Sequence, residues 1–214
     1  SWMPPSAATF IYTVFLKPKP VRAVAQKIVK RIIPPRLTVD GIELVMNQDD
    51  AVVCGALALG CYESFPRRVF RGLLKPGMTV ADVGANIGLY TAIAARNVGP
   101  AGRVIAVEPE GRNCRFIHQT LELNQFKNVE VVQAAVSDTT GPGQLFINEE
   151  NKADHRIFDR TSSRPAVPVD FYRLDDLLAK LAVKRVDVIK LDIQGAEAMA
   201  LRGMRRTLTD NADI

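Results

Sequence analysis

The 214-residue sequence is poor in cysteine, histidine and aromatic side chains, and the first two shortages limit the chemistry available to it. Its three cysteines, Cys54, Cys61 and Cys114, are an odd number, and their spacing matches no zinc pattern of paired C-x-x-C units. They read as reduced thiols of an intracellular, cytoplasmic protein, serving as small core hydrophobes. Only two histidines are present, and no Ser/His/Asp nucleophile arrangement is suggested. His118 falls on a predicted surface helix, and His155 lies in a polar loop beside Asp154 and Arg156, where solvation is favoured over a role as a base. The apolar run Phe10–Leu16 is far shorter than the roughly 20 residues of a membrane-spanning helix. It also lacks the basic flank and small-residue cleavage pattern of a secretory signal.

Acidic residues are missing altogether from residues 1–36, which carry Lys17, Lys19, Arg22, Lys27, Lys30, Arg31 and Arg36. This arm is therefore +7, whereas the whole chain is +5, so the remainder is −2. A basic groove for nucleic acid across the rest of the chain is not expected. Val21, Val24, Ala25, Ile28 and Ile32 recur at helical spacing, so the arm reads as an amphipathic helix. Such a helix either packs on its own domain or a second subunit, making a homo-oligomer, or lies through residues 10–36 on an anionic membrane surface.

Pro34-Pro35 ends that helix and opens a lead-in unit over residues 37–74. Asp40-Gly41 between Leu37–Val39 and Ile42–Val45 predicts a hairpin, and Ala51–Leu74 reads as helical. From residue 75 to 214 strands and helices alternate. Strands are expected at Thr79–Val83, Arg103–Glu108, Val129–Val136 and Val186–Ile193, with helices at Leu89–Asn97, Arg112–Asn124, Leu174–Leu181 and Gly195–Thr209. This spacing predicts a doubly wound α/β domain with a mostly parallel sheet. Within the polar stretch Ser137–Arg164, Gln144–Asn148 reads as an edge strand that pairs with Val167–Tyr172. The rest of that stretch is expected to face substrate. Another strand is expected to start at Ala212-Asp213-Ile214, so the sheet is expected to lack its C-terminal strands.

The chemistry concentrates at the strand ends. In Asp82-Val83-Gly84-Ala85-Asn86-Ile87-Gly88, glycine permits close ligand approach and Asn86 tolerates a left-handed backbone. The loop departs from the G-x-G-x-x-G of dinucleotide-binding proteins. A carboxylate two residues before the first glycine suits a ligand carrying an ammonium and a sulfonium, so Asp82, Gly84, Ala85, Asn86 and Gly88 are candidate cofactor contacts. Glu108 ends the next strand, where an acid can accept hydrogen bonds from both ribose hydroxyls. Asp138 either faces an adenine amino group or caps a turn. On the strand 186–193, Val188, Lys190, Asp192 and Gln194 share one side, and a lysine there needs a partner, with Asp192 and Glu63 as candidates. Asp192 is the first choice for orienting or deprotonating an acceptor and a further cofactor contact, with Glu197 and Glu63 as weaker catalytic candidates. No set of carboxylates marks a metal site around Asp192.

The sequence resembles the FkbM family of methyltransferases from about Tyr62-Glu63 to Gly203. Its motifs are Leu74-Lys75-Pro76-Gly77, the loop from Asp82 to Gly88, Glu108-Pro109, Ala135-Val136-Ser137-Asp138, Leu174-Asp175-Asp176-Leu177 and Ile189-Lys190-Leu191-Asp192-Ile193-Gln194-Gly195-Ala196-Glu197. The resemblance implies a seven-stranded class I methyltransferase fold, S-adenosylmethionine as methyl donor with S-adenosylhomocysteine as product, and O-methylation of a small-molecule, sugar or lipid-linked glycan hydroxyl. Gln194 stands where the family usually has Glu. Two other readings remain, a non-catalytic nucleoside-binding or scaffold module and a nicotinamide-dependent oxidoreductase.

Overall fold

The computed structural model describes residues 28–60, 62–146, 166–193, 195–211 and 214. The expectations placed on residues 10–27, Cys61, residues 147–165 with His155, Gln194 and Ala212-Asp213 lie outside the described residues. Residues 28–32 are helical, and Ile33 beyond them is buried, with its carbonyl accepting from Gln48 Nε2 at 3.0 Å. Ile28 and Ile32, on the apolar side of the helix read from the sequence, are exposed.

The hairpin forms at the expected residues: β1 (Arg36–Val39) and β2 (Ile42–Val45) pair antiparallel around Asp40 and Gly41, both with positive φ. Its outer edge is met by side chains, because Thr120 Oγ1 accepts from Val45 N–H and Asn124 exchanges two hydrogen bonds with the Glu43 backbone. The helical reading of Ala51–Leu74 divides in two. Helix α1 (Val53–Ala58) and helix α2 (Ser64–Leu73) are separated by a turn in which Gly60 and Glu63 take left-handed φ of 70° and 41°. A continuous helix cannot pass through such residues.

Four parallel strands make the central sheet, in the order β5 (Val129–Val132), β4 (Arg103–Val107), β3 (Thr79–Val83), β9 (Val188–Leu191). Side chains alternate across it and build two cores. Val80 and Val104 face helix α3 (Leu89–Val98) and the hairpin, while Ala81, Val83, Ile105 and Val107 face helix α5 (Leu174–Lys180) and helix α6 (Glu197–Gly203). α3 is apolar on nearly every side and accordingly buried, with its last carbonyls met by the Asn128 amide. Helix α4 (Gly111–Leu123) buries Cys114, Ile117, Thr120 and Leu121 along one face, leaving His118 exposed. Burial pushes the thiols of Cys54 and Cys114 up to about 12, in keeping with cysteines that act as core hydrophobes.

The expected strand Val129–Val136 is interrupted at Gln133-Ala134. β6 (Ala135–Val136) leaves the central sheet and joins a second one, ordered β6, β8 (Ala166–Tyr172), β7 (Gly141–Phe146). β7 and β8 pair antiparallel, as the pattern predicts. The helical stretch 195–209 likewise divides, into α6 and helix α7 (Arg205–Asp210), with Met204 between them buried against the second core.

Candidate active site

Because β3 sends its chain to β4 on one side while β9 lies on the other, the strand order reverses beside the C-terminal end of β3, the place where open α/β sheets bind ligands. The glycine loop fills that end. Gly84 has φ of 80°, and a Cβ on it would sit 2.0 Å from the Asp192 carbonyl oxygen. Only glycine therefore lets β3 and β9 end side by side. Asn86 takes φ of 52°, and its N–H donates to Glu108 Oε2 at 2.8 Å, so loop and acid form one unit.

Glu108 is buried at the end of β4. Its Oε1 accepts from Glu110 N–H and Asn113 Nδ2, each at 3.1 Å. Burial raises its pKa, against the lowering effect of these three hydrogen bonds. A carboxylate has about four acceptor positions, and three are taken. One ribose hydroxyl fits the fourth; accepting both, as the sequence reading has it, requires Asn113 or a backbone donor to move.

Asp82 is 0% exposed and takes no part in the open surface. Thr91 Oγ1 donates to its Oδ2 at 2.6 Å, and Lys190 Nζ lies 3.2 Å from Oδ1. The register pairs Asp82 with Lys190 across neighbouring strands, which makes this contact possible. Lys190 also donates to the Gly84 carbonyl at 2.8 Å, stands 5.2 Å above the Tyr90 ring, and lies 4.0 Å from Asp192 Oδ2. Asp82, a candidate cofactor contact in the sequence, is placed beneath the loop, which its carboxylate supports. Lysine's main partner is likewise Asp82, with Asp192 more distant, while Glu63 bonds elsewhere. Ala85 and Gly88 are buried too, Ala85 packing with Ile117 and Leu121, so they shape the loop while Gly84 and Asn86 form its open part.

Asp192 is the open carboxylate of this group, with 47% of its side chain exposed and its N–H tied to the Val83 carbonyl at 3.0 Å. Glu63 Oε2 accepts from Tyr90 OH at 2.7 Å. Burial, followed by this hydrogen bond and the Glu63 charge, raises the Tyr90 pKa far above its ordinary value. Tyr62 is raised too, first by burial and then by the charges of Glu63, Asp192 and Asp50. Both phenols are therefore held in the neutral form.

Two other expected site residues have hydrogen-bond partners of their own. Asp138 accepts from Arg202 at 2.9 Å and from Ser137 Oγ at 3.3 Å, and the Arg202 hydrogen bond holds its carboxyl below the ordinary value. Glu197 opens α6 and accepts from Gly195 N–H with both oxygens, at 2.8 and 3.1 Å, so it closes its own turn. Lys190's bond to the loop and the roles of Tyr90, Thr91 and Asn113 were not visible as site features in the sequence; the one usable signal was a lysine inside an apolar parallel strand.

The sheet order, the glycine loop and the acid at the next strand end define a doubly wound α/β domain built for a nucleoside-bearing ligand. Residues 82–213 match the model of the methyltransferase FkbM domain, and the chain belongs to that family. It is 27% identical over 144 residues to Methyltransferase 1 of Beauveria bassiana, covering 58% of this chain and 57% of that protein. It is 26% identical over 155 residues to Methyltransferase sdnD of Sordaria araneosa, covering 58% and 60%. With 2-O-methyltransferase NoeI of Sinorhizobium fredii the identity is 24% over 159 residues, covering 67% and 64%. The match thus spans about three fifths of the length of these relatives. A solved FkbM methyltransferase from Methylobacillus flagellatus overlays with a TM-score of 0.46 at 16% identity, covering 90% of this chain and 47% of that one.

The cofactor of the family is S-adenosylmethionine. The residues fit it: the open surface at Gly84 and Asn86 has no bulky side chain, and the buried Glu108 carboxylate keeps an acceptor position for a hydroxyl.

Proposed function

We propose that this site transfers a methyl group from S-adenosylmethionine to a hydroxyl of a small molecule, sugar or lipid-linked glycan, leaving S-adenosylhomocysteine and a methyl ether. The observation that carries the reading is the union of loop and acid through the Asn86–Glu108 hydrogen bond, with an exposed Asp192 carboxylate on the neighbouring strand end. The name of one relative, 2-O-methyltransferase NoeI, supports oxygen as the methylated atom.

The cofactor supplies an electrophilic methyl group on a sulfonium. Gly84 and Asn86 would shape the surface that holds it, and Glu108 would accept from its ribose. Asp192 would take the acceptor's hydroxyl proton as the methyl group passes to the oxygen, which would leave a neutral thioether, a methyl ether and a protonated carboxyl. Lys190 orients Asp192 and fixes the loop through the Gly84 carbonyl, so the two reacting groups share one support. Glu63, engaged by Tyr90, contributes to the wall of the site.

The test is methyl transfer from radiolabelled S-adenosylmethionine to a panel of sugar, polyketide and lipid-linked glycan alcohols. Asp192→Asn should keep cofactor affinity and lose about 100-fold in kcat, the size of a general-base contribution. Full turnover by that variant, or label found on nitrogen or carbon, would overturn the proposal.

A further inference from the structure

Helix α2 carries a surface that the candidate site does not use. Phe65, Val69 and Leu73 stand four residues apart and therefore share one helical face, where they are 64%, 47% and 54% exposed. Gly72 lies in the same sector with open space around it. Phe70, on the opposite face, is the buried anchor, packing edge-on against Tyr90 with ring centroids 5.2 Å apart.

The charge beside this stripe has one sign. Residues 64–78 contain Arg67, Arg68, Arg71 and Lys75 and no acidic residue. Arg67 pairs with Asp40 at 3.1 Å, whereas Arg71 reaches the same carboxylate only at 3.9 Å and is half exposed. The Arg68 guanidinium lies 5.7 Å from the Phe65 ring centre, so a cation sits directly on the apolar stripe. The short helix 28–32 repeats the chemistry, with Ile28 and Ile32 exposed next to exposed Lys30 and Arg31.

We infer that the Phe65–Val69–Leu73 face of α2 docks on an anionic lipid surface. Apolar side chains flanked by arginine and lysine match an acyl boundary beneath negative headgroups. The chain's own N-terminal arm is a poor occupant, because residues 1–36 are +7 with no acidic residue and would meet like charge. The docking face adjoins the site: Glu63, immediately before α2, accepts the hydrogen bond from Tyr90. This inference does not depend on the methyl-transfer reading, since binding is measured without cofactor or acceptor.

The experiment is co-sedimentation of the full chain with vesicles of phosphatidylcholine alone and of an equimolar mixture with phosphatidylglycerol. The full chain should bind the anionic vesicles and release at raised salt. Phe65→Ser/Val69→Ser/Leu73→Ser should lower partitioning at least about tenfold. Arg68→Gln, a milder change that keeps the stripe, should lower it about fivefold. Lys17→Glu/Lys19→Glu/Arg22→Glu, placed in the arm, should leave binding through α2 detectable. Equal partitioning of wild type and both α2 variants overturns the inference, as does equal binding to neutral and anionic vesicles. A dimer in sedimentation that the triple serine variant converts to monomer also overturns it, assigning the face to a second copy of the chain.

Discussion

Replacing Lys190 with methionine keeps an unbranched side chain one atom shorter and removes the ammonium, which isolates what the charge does. In the protein it stands 3.2 Å from a fully buried Asp82 carboxylate and gives an aligned hydrogen bond to the Gly84 carbonyl. Asp82 Oδ1 receives no aligned hydrogen bond of its own, so the lysine's contribution there is electrostatic. Taking one member from a buried pair typically costs about 3–5 kcal/mol, and the missing alignment places Lys190→Met at the lower end, about 3 kcal/mol. For a chain of this size that is a fall in melting temperature of about 6–12 °C. Asp82→Asn leaves a lysine that still has Gly84 and Asp192, so about 1–2 kcal/mol is expected. The double variant should lose about 2 kcal/mol, well short of the sum. Urea denaturation of the four proteins at neutral pH reads these values directly. A Lys190→Met loss below about 0.5 kcal/mol, or single losses that simply add, would refute the pairing.

Three further outcomes follow from other parts of the structure. Gly84→Ala forces a Cβ to 2.0 Å from the Asp192 carbonyl at a φ of 80°, so titration with S-adenosylhomocysteine should show binding lost, with thermal stability down by at least about 2 kcal/mol. Glu108→Ala leaves Asn86 N–H, Glu110 N–H and Asn113 without their acceptor, and calorimetry should show cofactor affinity weakened at least about 100-fold. Asp175 is held below its ordinary pKa: burial opposes ionisation, but hydrogen bonds from the Thr207 side chain and backbone and from Arg206 N–H outweigh it. A depressed folded-state pKa means stability that is present above the unfolded value of about 3.9 and lost as pH falls through the folded value. Acid unfolding followed by circular dichroism should therefore be shallower in Asp175→Asn, which should already be about 2 kcal/mol less stable at neutral pH.

Local pattern carried much of the fold. Asp40-Gly41 placed the hairpin and its register, and alternation along β9 put Lys190 and Asp192 on one side of the sheet and Ile189, Leu191 and Ile193 in the other core. What alternation cannot give is which neighbour faces Lys190. That depends on the register between β3 and β9, strands more than a hundred residues apart, and it brought Asp82 to the lysine. The division of 51–74 was hidden for a similar reason. Glu63 holds its left-handed backbone beside Tyr90, its hydrogen-bond partner on a different helix. Asp138 shows the limit for the site, because its Arg202 partner comes from α6, 64 residues on. Glycine, proline and period were legible where their effect is local; ion pairs that close the site were not.

The central claim is that the loop from Asp82 to Gly88, joined to Glu108, is a nucleoside site for S-adenosylmethionine rather than for a dinucleotide. Isothermal titration of the chain with S-adenosylhomocysteine and, separately, with NAD tests it most directly. The account predicts one-to-one binding of S-adenosylhomocysteine that Glu108→Ala abolishes, with no heat from NAD. Binding of NAD alone, or of neither compound by the folded chain, would contradict it.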